Sequence, residues 1–173
     1  TTIGKNSFSS CSRFNQIKFF DDSILKIIDD SAFSNTLLFN VDIPSSVTRI
    51  GVKSFSDCNK LSQINFSENS QLEMIDDFAF NECFLDNIFI PIHVKIIGKS
   101  AFCHCENLKE IKFDDNAELK SIGESCFSKS SFKSITIPSQ VEKICKDTFH
   151  DCKLKELKFT ENSSMDIPLN TQK

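Results

Sequence analysis

The sequence predicts an α/β solenoid in which about seven short coils stack on one another along a single axis. The first observation is a phenylalanine that recurs at alternating intervals of 25 and 22 residues, at Phe8, Phe33, Phe55, Phe80, Phe102, Phe127 and Phe149. The second is the pattern around each of these anchor residues, with a V/L-x-x-I segment before it and an L-x-x-I-x-F segment after it. Units this short cannot bury an apolar face alone, so a repeat of this length is typical of a solenoid.

The segment after each anchor alternates as a half-buried strand does. In the third coil, Ile64 and Phe66 are predicted to point inward and Gln63, Asn65 and Ser67 to point outward. Stacked coils lay these segments side by side. We therefore predict one parallel sheet on the concave face, with the anchor rings stacked behind it, made of residues 14–19, 38–43, 61–66, 85–90, 108–113, 132–137 and 154–159.

The links and turns complete each coil. Short links begin with Pro44, Pro91 or Pro138, just after a strand, where a missing N–H is tolerated and the fixed φ starts a turn. Longer links hold polar runs such as residues 67–70, which favour turns through local side-chain hydrogen bonds. Residues 51–58 place apolar side chains at roughly helical spacing, which predicts a short helical turn on the convex side.

Composition narrows the classes of function. The net charge is −4 and there is no basic run, which argues against nucleic acid as a partner. No apolar run reaches the length of a membrane-spanning helix, so this segment is not predicted to insert into a membrane. The chain has 18 phenylalanines and neither Trp nor Tyr, which indicates a packed core of rings without polar tips rather than an aromatic ligand cage.

The cysteines follow the repeat. Five of the eight lie three residues after an anchor, and Thr36 and Ser130 occupy the same position in two other coils. A position that accepts Cys, Thr or Ser is a small inward-facing one, so most thiols are predicted to be buried and free. Adjacent coils bring Cys83 near Cys105, so one disulfide remains an alternative.

No internal boundary interrupts the repeats, and residues 1–173 are predicted to form a single domain. Because Ile3-Gly4 matches Ile50-Gly51, the chain opens in the middle of a repeat, and we expect it to be a piece of a longer protein. The terminal coils show no polar cap, so self-association through a terminus is expected, as a two-fold dimer. At the C-terminal end, only Met165 and Ile167 could fold back over the last coil.

The repeat also resembles a known family. Residues 43–61, IPSSVTRIGVKSFSDCNKL, are similar to the repeat of the BspA-like leucine-rich-repeat family, and residues 68–80, ENSQLEMIDDFAF, resemble its longer variant. The similarity covers essentially the whole chain, with Asp29, Asp76 and Cys145 in place of the family's Gly. The resemblance implies a leucine-rich-repeat fold, and a microbial surface protein that attaches to host tissue or to other microbes.

The sequence gives little support for a catalytic site or a metal site. The outward strand positions carry no histidine, and Ser134 has no base near it in the pattern, so neither an enzyme nor a cofactor is predicted. One cluster has side chains of the kind that bind zinc. It consists of Cys103, His104 and Cys105, with Cys126 in the next coil. Cys105 faces inward by register and no second pair of ligands follows, so no metal site is predicted.

The outward positions of the predicted sheet are the candidate binding surface. They are Gln16, Lys18, Asn40, Asp42, Gln63, Asn65, Asn87, Phe89, Glu110, Lys112, Ser134, Thr136, Glu156 and Lys158. Lys112 with Glu110 and Lys158 with Glu156 are expected to form exposed ion pairs. Phe89 is expected to be exposed in the middle of the wall, either as an anchor for a protein partner or packed on its neighbours, and Phe20 and Phe39 are expected to be exposed near the other end. Glycosylation sequons begin at Asn65 and Asn162.

These features predict a non-catalytic, protein-binding repeat module. With the family resemblance, it is expected at a cell surface or outside the cell, with a protein or extracellular-matrix ligand. The alternative is an intracellular scaffold, since persistent free thiols fit a reducing compartment.

Overall fold

The computed structural model describes residues 1–20 and 22–161 and shows stacked coils joined by parallel strands. The strands are β1 (Thr2–Ile3), β2 (Ile27–Ile28), β3 (Asn40–Ile43), β4 (Arg49–Ile50), β5 (Gln63–Phe66), β6 (Met74–Ile75), β7 (Asn87–Ile90), β8 (Ile96–Ile97), β9 (Glu110–Phe113), β10 (Ser121–Ile122), β11 (Ser134–Ile137), β12 (Lys143–Ile144) and β13 (Glu156–Phe159). Each of the seven coils contributes one two-residue strand, and coils 2 to 7 each add a four-residue strand.

The two-residue strands form the one continuous sheet in the described part of the chain. It runs in the order β1-β2-β4-β6-β8-β10-β12, and each neighbouring pair is parallel. The second residue of every strand is an isoleucine, and those of the central coils, such as Ile50 and Ile75, are completely buried. The V/L-x-x-I segments therefore hold the stack in register.

The four-residue strands form what we call the strand wall, and here the prediction of one sheet is wrong. These strands are parallel as predicted, but they pair two by two, as β3 with β5, β7 with β9, and β11 with β13. Residues 14–19, predicted as the first strand, contain no strand. The inward half of the pattern is confirmed, since Val41, Ile64, Ile88, Ile111 and Ile135 are buried.

The breaks in the strand wall follow the spacing of the repeat. In coils 1, 3 and 5, six residues separate the anchor from the first strand position, as in Phe55 to Leu61, whereas coils 2, 4 and 6 have five, as in Phe80 to Leu85. The extra residue lies in a turn that Leu61 N–H closes on the Cys58 carbonyl, at 2.9 Å. Each step from a six-residue to a five-residue coil is unpaired, whereas each step from a five-residue to a six-residue coil, and the last step between two five-residue coils, is paired.

The predicted helical turn is also wrong. Residues 1–20 and 22–161 contain no helix. Instead, the second residue before and the second residue after every anchor has a positive φ, between 52° and 63°. Left-handed residues at this spacing prevent the continuous i to i+4 bonds of a helix. The segment becomes a series of tight turns whose remaining N–H groups donate to the next coil, as Phe33 N–H does to the Ser54 carbonyl at 2.8 Å.

The anchor phenylalanines form the predicted stack, which we call the spine. Ring centroids of successive anchors lie 5.2 to 6.0 Å apart, with interplanar angles of 7° to 19°. Phe33, Phe55, Phe80, Phe102 and Phe127 are completely buried. Each anchor of coils 2 to 6 therefore stacks between the anchors of its two neighbouring coils.

The cysteines three residues after an anchor do more than fill space. The thiols of Cys58, Cys83 and Cys105 donate to the carbonyl of the preceding coil's anchor, at 3.1 to 3.2 Å. All eight cysteines are free, so the alternative of a disulfide between Cys83 and Cys105 is not realised. Cys11 differs from the predicted inward-facing position because it is exposed.

Candidate functional site

The strand wall presents the predicted binding positions to solvent. All of the outward residues named from the sequence are exposed, from Gln16 and Lys18 at one end to Glu156 and Lys158 at the other. Within each strand pair they stand directly opposite one another, as Asp42 does to Asn65 and Phe89 to Lys112. The structure therefore offers these residues as one surface; whether they bind a ligand remains a prediction.

The β3–β5 pair carries a chain of polar contacts. Gln63 Nε2 donates to Asn65 Oδ1 at 2.9 Å, and Asn65 Nδ2 donates to Asp42 Oδ1 at 2.6 Å. These contacts fix three exposed side chains in one orientation, which lowers the entropy lost when a partner binds them. They also occupy the amide nitrogen of Asn65, one of the two predicted glycan acceptors. The other, Asn162, lies outside the described residues.

The later strands carry charge instead. The predicted ion pairs are confirmed, with Lys112 Nζ 3.0 Å from Glu110 Oε1 and Lys158 Nζ 3.1 Å from Glu156 Oε1. Both pairs are more than half exposed, so each contributes little to stability. The wall thus changes along its length, from amides and one carboxylate near β3 to alternating charge near β13.

Several exposed aromatic rings lie among these polar residues. Phe20, Phe39 and Phe89 are 74%, 61% and 44% exposed, in agreement with the sequence-based expectation. Phe84, at 55%, was not anticipated. Phe84 lies between the buried Cys83 and Leu85, so its side chain points outward. Exposed rings among polar groups are common anchors of protein interfaces.

Two cavities open on the unpaired steps of the strand wall. A cavity of about 610 Å³ lies between β9 and β11 and extends past the strand ends to Asp114, Asp115 and Pro138. A second, of about 440 Å³, is lined by residues of the first three coils, among them Phe20, Pro44 and Phe66. Each cavity therefore includes one unpaired step of the strand wall in its lining.

The densest cluster of charge lies on the opposite side of the coils. The Arg49 guanidinium on β4 contacts Asp29 at 3.5 Å, Asp30 at 3.3 Å and Asp76 at 2.5 Å, and so connects three successive coils. Burial raises the pKa of the Asp76 carboxyl, although Arg49 acts to lower it. Asp29 and Asp76 are two of the positions that depart from the family's Gly, and their role here is to hold neighbouring coils together.

The described residues contain no cluster of candidate metal ligands. No three His, Cys, Asp or Glu side chains in that part of the chain converge as a metal ion would require. Cys103 and His104 are half-buried in the turn segment, and Cys105 donates its thiol proton to Phe80 O. In addition, the described chain has no helix that is both long and apolar enough to cross a membrane.

Comparison with known proteins settles the family. A model of the BspA type leucine-rich-repeat region matches the sequence in six copies, over residues 1–108 and 73–167. The chain belongs to this family. The resemblance stated from the sequence is confirmed, and the repeat is that of a class of protein-interaction module. No curated protein matches the chain closely enough to count as a relative.

Solved structures share the fold of this BspA-type chain. The pneumococcal vaccine antigen PcpA is 30% identical with a TM-score of 0.70, over 73% of this chain and 31% of that one. A leucine-rich cell surface protein from Faecalibacterium prausnitzii is 23% identical with a TM-score of 0.65, over 91% and 51% respectively. A leucine-rich-repeat protein from T. pallidum is 24% identical with a TM-score of 0.53, over 80% and 65%. The chain spans about a third and about half of the first two proteins.

Self-association through the terminal coils remains a prediction. Phe8, Phe14 and Ile17 at one end, and Leu157 and Phe159 at the other, are half-buried and keep part of their apolar surface accessible. Met165 and Ile167, expected to fold back over the last coil, lie outside the described residues.

Proposed function

We propose that this chain is a non-catalytic binding segment of a cell-surface protein, and that its strand wall recognises a protein or matrix ligand in adhesion to a host or to other cells. The observation that carries the proposal is the contrast between the two faces of each strand. The inward face repeats the same apolar residues from coil to coil, whereas the outward face is exposed and changes in every coil. A rigid scaffold with a variable surface is the arrangement that repeat proteins use for recognition.

The relatives support the cellular setting. One solved structure with this fold is described as a vaccine antigen and another as a cell surface protein. A chain with this repeat and an exposed, ordered polar wall fits the same setting. The ligand would engage the amide cluster around Asn65 and the exposed Phe89, because these are the preorganised polar groups and the apolar anchor of the wall.

The test is binding of the purified chain to intact host cells and to immobilised matrix proteins, compared between two variants. One carries Asn40→Ala, Gln63→Ala and Phe89→Ala on the strand wall. The matched control carries Glu73→Ala, Lys95→Ala and Glu142→Ala, which are exposed residues beside the two-residue strands. We expect saturable binding that the wall variant loses and the control retains. Equal binding by both variants, or no saturable binding to any surface, would contradict the proposal.

A second candidate, an intracellular protein-interaction scaffold, is favoured by one observation. All eight cysteines are free, and persistent thiols fit a reducing compartment. The two candidates differ in location. Labelling of intact producing cells with a membrane-impermeant amine reagent should modify the protein if it is on the surface, and should leave it unmodified if it acts inside the cell.

A further inference from the structure

The residue that immediately precedes each four-residue strand changes in character along the chain. In coils 2 to 4 this position holds one aromatic, one hydroxyl and one acidic residue. Before β9, β11 and β13 it is a lysine in each case, Lys109, Lys133 and Lys155, and all three are exposed. Coils 5 to 7 therefore place the same cation at the same point of three successive turns of the solenoid.

Backbone hydrogen bonds bring these three points together. In coils 6 and 7, Lys155 N–H donates to the Lys133 carbonyl at 2.8 Å, directly before the paired strands β11 and β13. Coils 5 and 6 are joined by Ser131 N–H, which donates to the Leu108 carbonyl at 3.0 Å. The lysines thus form one row across three coils although they are far apart in the sequence, which is why the sequence itself shows no basic run.

The segments that lead into these strands carry an excess of positive charge. We call them the lysine edge, made of residues 105–109, 130–133 and 152–155. Besides the three lysines of the row they contain a fourth exposed lysine, Lys153, and one carboxylate, Glu106. The equivalent segments of coils 2 to 4 contain one lysine and one carboxylate, and they are residues 36–39, 58–62 and 83–86. The excess is therefore local, in a chain whose net charge is −4.

Most of the lysine edge is not neutralised by the protein. Within residues 1–20 and 22–161, Lys133, Lys153 and Lys155 form no ion pair. Glu156, the acidic residue directly after Lys155, contacts Lys158 instead, at 3.1 Å. Like charges side by side on neighbouring strands destabilise a sheet, so the row does not contribute to the stability of the fold. An anionic ligand would relieve the repulsion.

The arrangement of the row selects the class of anion. Successive anchors of coils 5 to 7 lie 5.7 and 6.0 Å apart, so the row follows the solenoid axis over closely stacked coils. A row of cations suits a linear chain that carries repeated negative charge, such as a nucleic acid or a heparin-like polysaccharide. Single-stranded nucleic acids also need exposed rings on which bases stack. The one ring of the lysine edge, Phe132, is completely buried, which favours the polysaccharide.

We propose that the lysine edge binds a linear sulfated polysaccharide of the glycosaminoglycan type, which lies along the solenoid axis across coils 5 to 7. The ammonium groups of Lys133, Lys153 and Lys155 meet its sulfates as point charges, without the planar geometry that an arginine would impose. The site lies beside the outward strand positions and not among them. The assignment rests on the proposed function for its setting outside the cell, and it adds a second ligand to that of the strand wall.

The test uses the whole chain and a fluorescently labelled heparin dodecasaccharide, with binding measured by fluorescence anisotropy. The matched probe is the same oligosaccharide after removal of its sulfates and N-acetylation, which keeps its length and its carboxylates. We expect the sulfated probe to bind about ten-fold or more tightly than the matched one. Its affinity should fall as salt is added, because exposed charges are screened. Equal affinity for the two probes would overturn the proposal.

Matched variants locate the binding. Lys133→Gln with Lys155→Gln removes two cations of the row, and Lys109 is left unchanged because its ammonium lies 3.5 Å from Asp86. The control, Lys26→Gln with Lys143→Gln, removes two exposed lysines beside or within the two-residue strands. The lysine-edge variant is expected to weaken binding of the sulfated probe by about ten-fold or more, and the control by less than about three-fold. Equal weakening by both would show attraction by net charge and overturn the proposal.

Thermal denaturation of the two variants separates a binding role from a structural one. Because the substitutions relieve repulsion between neighbouring lysines, the lysine-edge variant should melt at the same temperature as the unmodified chain or slightly above it. A melting temperature that falls in this variant alone would show that the lysines serve the fold, and the proposal would fail.

Competition with other polyanions tests the class of ligand. Single-stranded DNA and vesicles that contain an anionic phospholipid are added to the complex with the labelled heparin probe, at equal concentrations of accessible negative charge. Each is expected to displace the probe about ten-fold less effectively than unlabelled heparin dodecasaccharide. Equal displacement by either competitor would show a site for anions in general, and the assignment to a sulfated polysaccharide would be wrong.

The outcome can be separated from that of the proposed function. A chain that binds matrix proteins through the strand wall, but does not distinguish the sulfated probe from the matched one, retains the proposed function and loses the polysaccharide site. A chain that binds the sulfated probe through the lysine edge, but no cell or matrix protein through the strand wall, retains the polysaccharide site and loses the proposed role of the wall.

Discussion

The spine and the strand wall are built from the same repeat, but the spine is regular from coil to coil and the strand wall is not. Along the spine, successive rings from Phe8 to Phe102 lie 5.2 to 5.3 Å apart, and the adjacent two-residue strands form an unbroken sheet. On the strand wall the ladder is interrupted at every second step and the outward residue changes in every coil. The interior therefore has little freedom to vary, whereas the wall can change residues and spacing without disturbing the stack.

The largest expected difference between interior and surface is in thiol reactivity. Burial raises the pKa of the Cys105 thiol to about 12 and that of Cys83 well above its usual value, whereas Cys11 is exposed. The thiolate is the reactive form, so a pKa near 12 lowers its fraction at neutral pH on the order of a thousand-fold relative to an ordinary thiol. With a thiol reagent, Cys11 should be modified first, and Cys83, Cys105 and Cys126 only after denaturation.

Peptide mapping of the labelled protein after a short exposure would verify this order. Rapid native-state labelling of Cys105 would show that the interior opens far more easily than its packing indicates. An intact mass that reveals three or more disulfides would contradict the prediction of free buried thiols.

The next largest effect compares two phenylalanines of one coil. Phe80 is completely buried between Phe55 and Phe102, with ring centroids 5.3 Å away on each side. Phe80→Ala should lower the free energy of unfolding by about 3–5 kcal/mol, because it removes buried apolar surface and leaves a cavity in the spine. Phe89→Ala, on the exposed side of the same coil, should change it by about 1 kcal/mol or less. Urea denaturation of both variants measures the difference, and similar losses would refute the separation of spine from wall.

A smaller effect is expected where coils approach most closely. A Cβ added to Gly98 would lie 2.5 Å from Asp77 N and 2.6 Å from the Asp76 carbonyl carbon. The backbone segments of the two neighbouring coils would therefore have to move apart to make room for it. Gly98→Ala should destabilise the protein by about 1–3 kcal/mol. The control is Gly4→Ala, since a Cβ there meets only the Ser7 hydroxyl at 3.4 Å. Its expected effect is neutral or a stabilisation of about 0.4–1 kcal/mol through the unfolded state. Thermal denaturation that showed Gly98→Ala to be as stable as Gly4→Ala would contradict the close approach.

The sequence predicted what depends on burial and missed what depends on backbone geometry. The spine, the parallel strands and the exposed outward positions follow from apolar periodicity, which a repeat of seven units displays many times. The apolar spacing of the turn segments resembles that of a helix. Asn6, Asn35 and Asp57 are common at left-handed positions and indicate a turn, but Lys53, Phe78 and Glu82 occupy the same positions and give no such signal. The division of the wall into pairs does not follow from the 25/22 spacing between anchors. It follows the spacing of six or five residues from the anchor to the first strand position.

The smallest effect concerns the ladder of thiol hydrogen bonds behind the spine. Cys105 Sγ reaches the Phe80 carbonyl at 3.2 Å, but the hydroxyl of Ser130, at the same position in the next coil, is buried and has no hydrogen-bond partner. The longer C–S bond and the larger sulfur should allow a cysteine at residue 130 to reach the Phe102 carbonyl. Ser130→Cys should therefore raise the free energy of unfolding by about 1 kcal/mol, since it removes an unsatisfied buried hydroxyl and adds a hydrogen bond. The reverse change, Cys105→Ser, should lower it by a similar amount by creating the defect now present in coil 6. Urea denaturation under reducing conditions measures both. If the two substitutions shift stability in the same direction, or neither shifts it, the thiol hydrogen bonds contribute nothing measurable to the stability of the stack.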